Sequence, residues 1–284
     1  MSASNRRGVD GVWISLSLAA AALTTVASAG GLFLPATYSK ETALWAAEGA
    51  GQDLVNLVVV VPAVLVSAWF VRRESARARV VWLGLMLYLV YSYCLYAFFV
   101  HFNDLFLVYV ATLSTSAFAF AGAAIGLDRD EWPALFSSST GERPLSALLL
   151  LTGVAFGALW LSEIVPALLA RRVPPSAIDA GLIVNPVHVL DLAFVIPAMI
   201  AAGVLLWKRR PVGFVAAVAL ATFMAAMGLA IVGMTIVVSW RGLGSAGPAV
   251  PMSVLVAVTV AFTARLLRVS LPSAATQTAL ERPR

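Results

Sequence analysis

Sulfur and imidazole are almost missing from this chain, which has one cysteine, Cys94, and two histidines, His101 and His188, in 284 residues. A single thiol excludes a disulfide framework and a cysteine pair for a metal. Charge is scarce too. Asp, Glu, Lys and Arg together make up 12% of the residues against 61% hydrophobic, and the mean hydropathy is +0.93, far from the balance of a soluble domain. There is no Walker motif, no G-x-S-x-G elbow and no H-E-x-x-H, so ATP-driven transport would need a separate partner chain and no hydrolytic centre is evident. Gly242, Gly244 and Gly247 do fit G-x-G-x-x-G, but an apolar helical run precedes them and no acidic partner follows, so they read as an exposed turn.

What the chain has in abundance is long apolar runs. A bilayer core about 30 Å thick takes roughly 20 apolar residues at 1.5 Å each, and eight such runs occur, near 12–34, 53–71, 80–100, 105–126, 146–168, 189–207, 212–239 and 250–268. The predicted fold is therefore all-α, a polytopic transmembrane helix bundle. The first run follows Arg6 and Arg7 and contains Ala27-Ser28-Ala29, the shape of a cleavable secretory signal. It continues to Leu34, and its loss would leave seven spans, so a retained helix is the expectation.

Positive charge retained in the cytoplasm sets topology. With the N-terminus inside, 15 of the 19 basic residues are cytoplasmic, and only Lys40, Arg171, Arg172 and Arg241 face out. Both termini are then cytoplasmic. The net charge of +5 is a topology signal in short loops, which excludes a nucleic-acid reading.

Two stretches, DLVNLVVVVPAVL from Asp53 and HVLDLAFVIPAMI from His188, share one layout: a polar residue, a second one three on, and a proline six after that. At a separation of 135 residues they share Leu57/Leu192, Val60/Val195, Pro62/Pro197 and Ala63/Ala198, and both run into basic residues. The polar segment 127–144 lies at the midpoint. Residues 1–136 and 137–284 are thus expected to be two four-span halves of one membrane domain, a parallel pseudo-repeat. Gly213, Ala217, Ala221 and Ala225 form a ridge of small residues suited to close helix contact.

Polar side chains are costly inside a membrane and tend to mark function. Glu48, Gln52, Asp53, Asn56, His101, Asn103, Asp104, Glu163, His188 and Asp191 all fall at or near the outer ends of spans, with no comparable set at the inner ends. Three readings compete: a solute or ion pathway opening outward; a metal or haem site on His101 and His188, a thin ligand set; or groups that satisfy one another in the headgroup region. His188 and Asp191, three apart, could pair as imidazole and orienting carboxylate. In the third span Tyr88, Tyr91, Tyr93 and Tyr96 crowd nine residues; Tyr88, Tyr91 and Tyr96 share a broad face that could wall a cavity for a ring-bearing ligand such as a quinone, lipid or haem.

At GQDLVNLVVVVP, YSYCLYAFFVHFNDLFLVYV and NPVHVLDLAFVIPAMIAAGVLLWKRR the chain resembles a family of uncharacterised bacterial polytopic membrane proteins. The resemblance implies a bacterial plasma-membrane protein and carries over no catalytic or binding residue. The functional expectation is a small-solute or ion transporter, or its binding component, with a polar site opening to the outer face. A membrane-embedded redox or other enzyme subunit (haem, metal or quinone) and a non-catalytic structural membrane subunit stand as alternatives. The lipid bilayer is the expected partner, a partner subunit or homo-oligomer stays open, and no cofactor is specified.

Overall fold

A computed structural model describes residues 3–125 and 142–270, with side chains at 11–125 and 142–268. The expected link between halves lies outside these residues as far as 141. So do the side chains of Arg6, Arg7, Arg129, Trp132, Arg282 and Arg284. Among the described residues all regular structure is helical, and eight helices are long and apolar enough to cross a membrane. They are α1 (Ala3–Phe33), α2 (Ala43–Arg72), α3 (Ala76–Phe99), α4 (Phe106–Ile125), α5 (Glu142–Leu169), α6 (Pro186–Trp207), α7 (Pro211–Trp240) and α8 (Ala249–Ser270). A short helix, Pro175–Ala180, lies between α5 and α6. The chain is a multi-pass membrane protein.

Local signals set the helix ends. The side chains of Thr42, Ser75 and Asn185 accept hydrogen bonds from the backbone N–H of Trp45, Ala78 and Val187, and Pro186 and Pro211 occupy first turns, where a missing N–H costs nothing. α2 begins ten residues earlier than the apolar run at 53 suggests, because Thr42 caps a stretch of good helix formers, Ala43 to Ala47. Glu48 and Gln52 therefore lie within the helix, one turn apart.

The two related stretches depart from α-helical geometry at the same offset. Asn56–Val60 in α2 and Asp191–Val195 in α6 are π-helical, and the residue preceding each proline donates five residues back, Val61 to Asn56 and Ile196 to Asp191. A proline ring clashes with the carbonyl four residues earlier, and the wider turn relieves that clash. Both helices then end in the same turn. Ser75 N–H bonds Phe70 C=O and Glu74 N–H bonds Val71 C=O; Arg210 to Leu205 and Arg209 to Leu206 repeat the pattern 135 residues on. Glu74 and Arg209 take the left-handed conformation this cap requires, with φ of 61° and 53°.

α3 and α7 cross at the centre, where a Cβ on Gly84 would sit 2.3 Å from the Ala219 carbonyl oxygen. The N-terminal half of α2 presses on α7 just as closely: a Cβ on Gly51 would lie 2.4 Å from Met234 Cα, and one on Gly233 would lie 2.8 Å from the Gly51 carbonyl. Small residues permit this contact where lipid offers no hydrophobic drive between helices. Of the small-residue ridge, Gly213 packs against Leu205 of α6, and Ala217 and Ala221 are fully buried. α1 packs on α2 and α4, α5 on α6, and α8 on α7. Apolar side chains such as Val58, Phe118, Leu151, Phe194 and Val254 point outward, as lipid contact requires.

Candidate functional site

The loops at 34–42, 100–105, 170–185 and 241–248 all lie at the end of the bundle away from the start of α1 and the end of α8. From this end a cavity of about 670 Å³ runs between α2, α3, α5, α6, α7 and α8. Its lining extends along α6 from Asn185 to Met199, about 14 residues and so roughly 20 Å. The wall is mainly apolar and rich in aromatic and thioether groups: five of the chain's seven methionines, Met199, Met224, Met227, Met234 and Met252, line it together with Tyr91, Tyr96, Phe156, Trp160 and Phe223.

Glu48 and Gln52, one turn apart on α2, both border the cavity. Gln52 is 4% exposed, and its Nε2 has no hydrogen-bond partner. Asp191, at the first residue of the α6 π segment, also borders it and accepts from Tyr91 Oη at 3.0 Å and Trp160 Nε1 at 2.9 Å. These donors hold a carboxylate at the wall without a cation.

Behind the wall lies a second polar centre. Asp53 is buried and accepts from Tyr38 Oη at 2.6 Å and from Tyr96 Oη at 2.9 Å. Burial and the neighbouring Asp53 carboxylate push the Tyr38 phenol well above its ordinary pKa, which keeps it a proton donor. Gly31 makes this possible, because a Cβ there would fall 1.8 Å from Asp53 Oδ2. Asn56, fully buried, donates to Ser28 Oγ at 3.2 Å and accepts from Tyr88 Oη at 2.8 Å. Tyr88 is thus a core residue bound to α2 and does not reach the cavity, whereas Tyr91 and Tyr96 form part of its wall. Tyr93 stacks between Tyr96 and Tyr109, with centroids 5.3 and 6.3 Å away.

The remaining polar candidates lie elsewhere. His101 is exposed and pairs through Nδ1 with Glu41 at 3.0 Å. Asn103 holds Leu105 N–H and the Thr37 carbonyl, a loop-building role, and Asp104 is exposed. His188 is buried against Trp160, with its Nε2 3.6 Å from Glu163. Glu163 in turn accepts from Ser176 N–H at 2.8 Å. The carboxylate that pairs with His188 is therefore Glu163, while the Asp191 oxygens are taken by Tyr91 and Trp160. The two histidines sit in separate clusters, and no three His, Cys, Asp or Glu side chains among the described residues converge as a metal site would need.

Tyr38, Glu41 and Trp160 were not among the sequence candidates. Trp160 and Tyr38 meet their carboxylates only through tertiary structure, 31 and 15 residues away along the chain. The methionines carried a signal that was there to read, since Met224, Met227 and Met234 recur along α7 at near-helical spacing.

The fold and site together define a multi-pass α-helical membrane protein with a deep, largely apolar cavity bearing a few carboxylates. No protein-family model, curated protein or solved structure matches the chain, so no family is established for it.

Proposed function

We propose that this protein is the binding component, or the whole, of a small-solute transporter of a bacterial plasma membrane, with its termini in the cytoplasm and its cavity reached from outside. The observation that carries this reading is the cavity itself. Pockets of several hundred cubic ångströms, mostly apolar with a few placed polar groups, are the usual form of a small-molecule site, and this one leaves Gln52 Nε2 buried with nothing to bond. The matching π segments and end turns of α2 and α6 support a parallel pseudo-repeat of two four-helix halves. The cavity then lies near the repeat interface, the usual place for a transporter's substrate. The Lys and Arg distribution supports the orientation.

Met227→Trp places a large side chain in the cavity and tests the reading. In a thermal-shift screen against organic cations, anions and neutral solutes, at least one solute raises the Tm of the parent protein and leaves Met227→Trp unmoved. A ligand at 100 times its Kd adds about 2.7 kcal/mol to stability, well within reach of such a screen. Equal responses of both proteins to every solute would contradict a cavity site.

A further inference from the structure

We propose, on the basis of the binding function above, that the cavity takes an organic cation: an ammonium-type ion with an apolar body and one hydrogen-bond acceptor. Three carboxylates border the cavity, Glu48, Asp179 and Asp191, while no Lys, Arg or His is in its lining. Asp191 already has two donors. Glu48 is partly buried and has no hydrogen bond or ion pair with any described residue. A partly buried carboxylate without a partner is costly, and a ligand cation removes that cost.

The wall chemistry selects among cations. A metal ion is usually held by several converging charged or imidazole ligands, and no group of three His, Cys, Asp or Glu side chains that could hold one exists among the described residues. Aromatic faces and polarizable methionine sulfurs instead suit a large, weakly hydrated organic cation, whose charge is attracted to ring quadrupoles while its carbon surface is buried. Anions find no positive side chain in the lining. Gln52, one helical turn from Glu48, also borders the cavity, and its unpartnered Nε2–H is left for an acceptor atom on the ligand, such as a hydroxyl or carbonyl. Asp179, exposed on the short helix at the mouth, places negative charge on the entry route.

Tetraphenylphosphonium and tetraphenylborate have nearly the same shape and opposite charge, so they isolate the charge preference. With the full-length protein in lipid nanodiscs, equilibrium dialysis should show saturable tetraphenylphosphonium binding at least about tenfold tighter than that of tetraphenylborate. Glu48→Gln should lower the affinity for the cation by about tenfold and leave that for the anion unchanged or higher. If Glu48→Gln does not fold, Asp179→Asn at the exposed mouth takes its place. It should weaken cation binding at low salt, and the loss should disappear at high salt. Equal affinity for both ions, untouched by either substitution, overturns the cation assignment and leaves the binding function standing. No saturable binding of tetraphenylphosphonium also overturns the cation assignment, and the binding function then stands or falls on the solute screen above.

Discussion

At the scale of the residue, the chain spends its few polar side chains in pairs joined by tyrosine or tryptophan. Asp53 is held by Tyr38 and Tyr96, Asn56 by Tyr88, and Asp191 by Tyr91 and Trp160. Neutral O–H and N–H donors satisfy acceptors in a low-dielectric interior without a second charge to desolvate. Tyr96→Phe leaves Asp53 Oδ1 without its donor and should lower stability by about 1–3 kcal/mol, read as a drop in Tm in detergent. An unchanged Tm would show that the bond contributes nothing net. The acceptors were visible in the sequence as costly polar groups in apolar runs. Their donors were not, because pairs such as Tyr91 with Asp191, 100 residues apart, form only when α3 and α6 meet. A three-residue spacing suggested His188 with Asp191, but tertiary partners take both groups: Glu163 lies against His188, and Tyr91 and Trp160 hold Asp191.

At the scale of the element, α2 and α6 show how much a proline conveys. The sequence places Pro62 and Pro197 at matching positions, and each follows a five-residue π segment. Helix existence and rough position were legible from apolar run length alone. The start of α2 was not, because a polar first stretch containing Glu48 and Gln52 lowers hydropathy without weakening helix propensity. The contact of α2 with α7 rests on Gly51 facing Met234 Cα. Gly51→Val should force backbone apart, since no flexible side chain end can yield there. A loss of about 1–3 kcal/mol or more is expected in a denaturation series. Wild-type stability in that variant would mean the helices are not packed this closely.

At the scale of the whole molecule, eight apolar helices and the scarcity of charge fixed the class of protein, and the distribution of Lys and Arg gave it an expected orientation. The cavity was beyond reach of sequence reading, since its wall draws on six helices and the loops beside them. Its methionines are ordinary core residues wherever they are not gathered around a space. The reading of a solute site open to the outside has one direct test. In a Cys94→Ser background, Thr235→Cys puts the only thiol on the cavity wall near its mouth. A membrane-impermeant maleimide applied to intact cells should label Thr235→Cys, which lies on the mouth side of Met227 along α7. Labelling only in inside-out vesicles, or only after detergent solubilisation, would contradict an outward-opening site.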